Sequence, residues 1–364
     1  MPLGREATLG FTELLKTLVS GALDEALTAA LDSCKKRLGS DPIDVEVLLD
    51  HLEACLEYVA YLKTDLHLEQ WLFRSNNEHA RVDLAVQSYK QLRDFTLDQV
   101  VKHYRSIDPQ DAENLYQPLF NWATASDIQT LPIFTLNYDT AVEEACDAGE
   151  KAFIDGIRRR YRREWSPAVF DDYQPQNDSS TLVLFKMHGS VSWLRDSEDR
   201  IFETHNQDRD PPGHRHVIQY PSLRAKDLLQ EPFKTAYDYF AECLQHSSVL
   251  VVVGTSLRDA ELTDIIERAF DANPAALAVV MSRSLTVEEA ASRLRVPSDR
   301  VVAIQARFGD NTGQLLQEVD NLLAGRRKKL GKNVPALKIP RDPTRPPPDT
   351  SRRRAATQAA THQR

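Results

Sequence analysis

The chain is expected to fold as an α/β protein: a doubly wound parallel sheet, an N-terminal helical module and a disordered C-terminal tail. Three observations predict this. After residue 130, short continuous apolar runs alternate with helix-period segments, which is the pattern of parallel strands buried on both faces. Residues 1–125 carry helix-period stripes and no strand-like run. Residues 325–364 hold six of the 19 prolines and the RRKK and RRR runs, with little core-forming material. The expected units are therefore a helical module at 1–125, an α/β core at 126–324 and a basic, Pro-rich tail at 325–364.

The elements follow in order. Apolar residues from Phe11 through Leu18 to Leu31 fall at i, i+3, i+4 spacing, one buried stripe of a helix. Asp41-Pro42 breaks it, and Asp44 is placed to cap a second helix bearing Val47, Leu48, Leu52, Cys55 and Val59. A third helix is expected from Glu78 to Tyr104, ended by Asp108-Pro109, and a shorter one from Glu113 to Ala125. The strands are Leu131–Leu136, Leu182–Met187, Val249–Val253, Ala276–Met281 and Val301–Ile304. Helices are expected at Glu231–Gln245, Ala260–Ala272, Val287–Leu294 and Gly313–Leu323. Asp196–Arg215 is polar, contains Pro211-Pro212-Gly213 and reads as a surface loop. Arg158–Arg163 (RRRYRR) has the charge to hold phosphates, but reads rather as a solvated helix face.

Charge and cysteine usage narrow the function classes. The tail carries 12 Lys and Arg against two Asp, which puts it at +10 and the remaining residues at −19. So acidic a body is a poor general nucleic-acid binder, because counterion release needs clustered cations; the tail alone has the charge for such contacts. The four cysteines (34, 55, 146 and 243) include no CxxC spacing, so neither a four-cysteine zinc site nor a disulfide framework is expected. His205, His214 and His216 lack a matching carboxylate pattern, and no metal is expected. No long apolar stretch suggests a signal peptide or a membrane span, and the expected location is the cytoplasm.

In open α/β sheets, ligands bind beyond the carboxyl ends of the strands. The first run is followed by Asn137-Tyr138-Asp139, the second by His188-Gly189-Ser190 and the third by Gly254-Thr255-Ser256. Ser282 closes the fourth, and Gly309-Asp310 follows the fifth. Gly254 permits a tight strand-to-helix bend. The Thr255 and Ser256 hydroxyls then form either an anion- or ribose-binding edge or a plain capped turn, with Ser256 or Asp259 as N-cap. Asn137 and Asp139 fit an Asx-turn. If their strand neighbours that of His188, they instead share a crevice with a general base. Gly-x-Gly and GxxxxGK[ST] do not occur, which excludes a P-loop nucleotidase and the ordinary dinucleotide fingerprint.

These segments carry a resemblance. TLNYD (Thr135–Asp139), FKMHGSVSW (Phe185–Trp193) and GTSLRD (Gly254–Asp259), in that order, resemble the sirtuin-like domains of bacteria, as does Phe153–Trp165 between the first two. The likeness spans roughly residues 40 to 320. It implies a Rossmann-like domain binding NAD beside a helical module. By resemblance, Asn137 orders the attacking water by the nicotinamide ribose and His188 is the base. Thr135 and Asp139 lie on the nicotinamide side. Gly254, Thr255 and Ser256 contact the adenosine-side ribose and phosphates, and Ser282 and Asp310 are further candidates for the adenosine pocket.

Two departures shape what the resemblance implies. Without the four-cysteine zinc module, it favours the bacterial branch that hydrolyses NAD to nicotinamide and ADP-ribose in anti-phage defence. An NAD-dependent deacylase is the alternative. The family's opening strand and Gly-Ala-Gly loop are not seen in residues 1–40. Their absence leaves a non-catalytic NAD-, ADP-ribose- or partner-binding module as a third reading, and leaves a sheet edge to be filled. An enzyme that destroys NAD needs control, so a homo-oligomer or a defence-system partner is expected.

Overall fold

The computed structural model describes residues 25–39, 45–64, 76–159, 162–173, 180–204, 213–219, 228–255, 257 and 259–330. The start of the first stripe, the Asp44 cap, His205, Ser256 and the tail beyond residue 330 lie outside the described residues.

Four helices come first: α1 (Glu25–Leu38), α2 (Val45–Thr64), α3 (Asn76–Arg105) and α4 (Pro109–Ala125). The apolar stripes of the first three meet in one core of Leu31, Cys34, Leu48, Leu49, Leu52 and Val100. Tyr138 and Val191 from the α/β part join this core, so the helical layer buttresses two of the segments that carry candidate site residues. Arg105 at the end of α3 strengthens the joint, with Nη2 donating to the Val191 carbonyl at 2.8 Å. α3 ends at Arg105, just ahead of Asp108-Pro109 as expected from the sequence, and the same pair opens α4, which starts four residues before the expected Glu113. The Asp108 carboxylate accepts from the Gln110 and Asp111 amides, and Pro109 takes the first turn, where its missing N–H costs nothing.

Two parallel sheets form the middle layer. One has the order β1 (Thr130–Thr135), β5 (Thr181–Lys186), β2 (Phe153–Ile154); the other is β11 (Val301–Gln305), β10 (Leu277–Ser282), β9 (Val249–Val253). Alternate residues of both sheets enter shared helical layers. Val183, Phe185, Ala278 and Val280 pack into one core with α7 (Phe233–His246), α8 (Ala260–Ala272) and α9 (Val287–Leu294). On the other face, Leu182 and Leu184 meet α4 and α5 (Ala141–Ala148), while Val279 and Met281 meet α10 (Thr312–Leu330). The Trp122 indole N–H donates to Asp320 Oδ1 at 2.9 Å and ties α4 to α10. The doubly wound α/β class is thus present, with apolar strands covered on both sides. Among the described residues β1 pairs only with β5 and β9 only with β10. Each therefore leaves one edge without a strand neighbour, and Val251 in the middle of β9 is 40% exposed.

Three local expectations are corrected. Arg158–Arg163 is not a helix face but spans an antiparallel hairpin, β3 (Ile157–Arg159) with β4 (Arg163–Trp165). Two of its arginines are held by acids: Arg159 bidentately by Asp155 at 2.8 and 2.9 Å, and Arg163 by Glu203. The cause is Ile157 and Trp165, which face each other across the hairpin and contribute to one small apolar core. Asp196–Arg215 is not wholly loop, because buried Ile201 seeds β7 (Ile201–Glu203). The HGSVSW segment continues as β6 (Gly189–Arg195), which pairs with β7 and with β8 (Arg215–Ile218). The result is a five-stranded antiparallel sheet that the apolar runs did not reveal. A one-turn helix, α6 (Ala168–Asp171), buries Phe170 against Phe185 and Tyr239; α10 continues to Leu330, beyond the expected start of the tail.

Candidate functional site

The site is built where β1 and β5 end. Their parallel register runs to Thr135 opposite Lys186 and continues in the Met187 amide bonded to the Thr135 carbonyl at 2.9 Å. Asn137 and His188 therefore leave adjacent strand ends, each two residues beyond its strand. Asn137 is exposed, and its backbone N–H is held by the Thr135 hydroxyl at 3.1 Å. Tyr138 turns inward, with its ring centroid 6.3 Å from that of His188.

Gly189 makes the turn after His188 possible. Its φ is +82°, and a Cβ there would meet the Val217 carbonyl oxygen at 1.9 Å, so no side chain fits. The Val191 amide then bonds to the Tyr138 carbonyl at 3.0 Å, which pins the Asn137–Asp139 and His188–Ser190 segments side by side.

His188 is buried and meets the third segment directly. Its Nε2 lies 2.9 Å from Asp259 Oδ2, with the two side chains only 5% and 7% exposed. Asp259 is also the N-cap of α8, and Oδ1 accepts from the Leu262 amide at 3.3 Å. The sequence offered Asp259 only as a cap; its second oxygen reaching a histidine is visible only in three dimensions.

Asp139 is placed differently from Asn137. It is buried, its Oδ1 accepts from the Ala141 amide at 3.1 Å, and its backbone carbonyl accepts from Lys186 Nζ. Lys186 also donates to Glu143 Oε1 at 2.8 Å, while Glu143 Oε2 is buried without a hydrogen-bond partner. Burial pushes the Glu143 carboxyl up to about 7, with Lys186 opposing the shift. Burial likewise raises Asp139, again against the pull of Lys186. This cluster beneath the strand ends was missed from sequence. Its signal was a lysine inside the apolar run LVLFKM, since a charge within a buried strand needs a partner.

The remaining candidates lie on the second sheet. Gly254 follows β9 at φ +68° with open space where a Cβ would stand, so its backbone is approachable. The Thr255 hydroxyl accepts from the Leu257 amide at 3.1 Å, the turn that leads towards Asp259. Ser282 closes β10, one strand further out, with its carbonyl bonded to the Ala306 amide. Asp310 is exposed in the turn before α10. The His188–Asp259 contact thus links the adjacent ends of β1 and β5 to the start of α8, whereas Ser282 and Asp310 follow β10 and β11, the next strands of the second sheet. Among the described residues, no cluster of His, Cys, Asp and Glu could hold a metal ion, and no helix is long and apolar enough to cross a membrane.

The fold and site define an α/β protein with an asparagine, a histidine and an aspartate gathered along the carboxyl edge of parallel strands. Residues 132–299 match the SIR2-like domain family, which supports a sirtuin-like assignment for the α/β part of the chain. No curated protein matches the chain. Among solved structures, a mutant Sir2 homologue in complex with ADP-ribose aligns over 67% of this chain and 80% of its own, at 13% identity and a TM-score of 0.38.

Proposed function

We propose that the protein is an NAD hydrolase that cleaves NAD to nicotinamide and ADP-ribose, with Asn137 and His188 as its catalytic residues. One juxtaposition supports this above all: a non-titrating amide and an imidazole leave neighbouring parallel strand ends, and the imidazole meets Asp259, the last residue of the Gly254–Asp259 segment. The SIR2-like domain match over residues 132–299 supports NAD as the substrate.

The bond broken joins nicotinamide to the ribose C1′ through an oxocarbenium-like state. Asn137, solvent-exposed and unable to titrate, holds the attacking water or the ribose hydroxyl by its amide. The water oxygen bonds to C1′, the pair of the C–N bond leaves with nicotinamide, and the water proton passes to the imidazole of His188. Thr135 and Asp139 shape the nicotinamide side, the latter through its fixed turn. Gly254, Thr255, Ser256 and Ser282 serve the ribose and adenosine side. We further propose a cytoplasmic effector of anti-phage defence, held inactive as an oligomer or by a partner protein until triggered.

Purified protein incubated with NAD is expected to release nicotinamide without an acylated peptide. Asn137→Ala and His188→Ala are each expected to lower the rate by about 10²- to 10⁴-fold, the usual worth of a positioned acid–base group. Unchanged turnover in both variants would reject the assignment. Release that depends strictly on an acylated peptide would favour the deacylase, and calorimetry showing no NAD binding would favour a partner-binding module.

A further inference from the structure

We propose that Asp259 is a positioning residue for His188: its carboxylate accepts from Nε2–H and holds the imidazole in that tautomer and orientation. This role rests on the reading of His188 as the base of an NAD hydrolase, but its physical content is a tautomer and can be measured separately.

The geometry carries it. A carboxylate can only accept, so the 2.9 Å contact between Asp259 Oδ2 and His188 Nε2 requires the proton on Nε2. The lone pair of the neutral ring is then on Nδ1. The carboxylate is itself immobilised. Oδ1 is tied to the Leu262 amide at 3.3 Å, and α8 is anchored in the core by Leu262, Ile266 and Phe270. The N-terminus of this 13-residue helix also favours a negative charge at Asp259. Both side chains are more than nine-tenths buried, so water competes little for the bond. Glu261 on α8 and Tyr237 on α7 are titratable groups close to Asp259. Tyr237 is raised by burial and then by Asp259 and Glu261, which places its hydroxyl within their field.

Loss of the cap and loss of the tautomer are separable. Asn and Ser serve as N-caps about as well as Asp, so Asp259→Asn and Asp259→Ser keep the start of α8. Neither supplies a carboxylate to Nε2–H, and the Asn amide can donate to a bare Nε2 and so stabilise the wrong tautomer. In the full chain, ¹⁵N spectra of the His188 side chain, assigned by comparison with His188→Gln, report the tautomer and its titration. The wild type is expected in the Nε2–H form. Both Asp259 variants are expected to lose that preference and to titrate at lower pH. Nicotinamide release is expected to fall on the order of 10²- to 10³-fold in kcat, with KM for NAD changed only a few-fold.

An unchanged tautomer and midpoint in both variants overturns the proposal, as does lost turnover with an unaltered tautomer. If the tautomer shifts while no form of the protein cleaves NAD, the role of Asp259 in holding His188 stands and the hydrolase reading falls.

Discussion

The imidazole of His188 lies 2.9 Å from the carboxylate of Asp259 although 71 residues separate them in the chain. The contact links the end of β5 to the start of α8, and so joins the two parallel sheets along their carboxyl edge. A buried histidine–carboxylate pair constrains both partners. It orients the ring, and it commits the α8 N-cap to a second task beyond the Leu262 amide. The same strand ends rest on a second polar cluster, Lys186 with Glu143 and the Asp139 carbonyl.

Lys186→Met is expected to destabilise the protein by about 3 kcal/mol or more, because it strands a buried carboxyl and a buried carbonyl. Adding Glu143→Leu to Lys186→Met is expected to recover part of that loss, since an apolar pair of similar volume avoids the desolvation cost. Urea unfolding of both variants checks this; equal loss in the single and double variants contradicts it.

The raised carboxyl of Glu143 predicts a pH dependence with a definite sign. In the folded chain it titrates near 7, against 4.5 for the free side chain, so the native state binds the extra proton between those values. Stability is then expected to fall as pH rises through about 4.5 to 7, by roughly 3 kcal/mol at most from this group. Glu143→Gln removes the titration. The difference between wild-type and variant unfolding free energies, measured at pH 4.5, 6 and 7.5, is expected to shrink as pH rises. A difference that is flat with pH sinks the prediction.

Two glycines with similar backbone angles are expected to respond unequally to alanine. At Gly189 the added Cβ meets the Val217 carbonyl oxygen at 1.9 Å, whereas at Gly254 it meets open space. Gly254→Ala bears only the left-handed backbone penalty, about 1–2 kcal/mol. Gly189→Ala adds a backbone clash and is expected to cost more than about 3 kcal/mol or to prevent folding. Thermal unfolding of the two variants separates the effects.

Asp108→Ala is expected to cost about 1 kcal/mol through loss of the α4 cap, while Asp108→Ser stays within a few tenths of the wild type. Equal stability of all three forms, by chemical unfolding, would mean that the Gln110 and Asp111 amides find other acceptors.

Much of the α/β part was legible in sequence because its strands are continuous apolar runs packed between helices. Runs such as VLVVV and LVLFKM have no competing helical period, and α8 and α9 begin at their capping residues Asp259 and Thr286. The antiparallel sheet was less legible. Its strands are short and half polar, and Arg158–Arg163 read as helical because Ile157 and Trp165, the residues that anchor its strands, lie outside the run. The Asp108-Pro109 dipeptide was read only as a stop, and that it also starts α4 is visible only once the capping bonds are seen.

By itself the sequence determined which residues are available for chemistry and on which strand ends they stand, because periodicity and turn residues are local properties. The tertiary structure alone decided that β1 lies beside β5, that Asp139 turns inward while Asn137 stays exposed, and that His188 finds Asp259. Those outcomes depend on which strands pair and which helix packs over them, and such long-range choices are made by burial of apolar faces far apart in the chain.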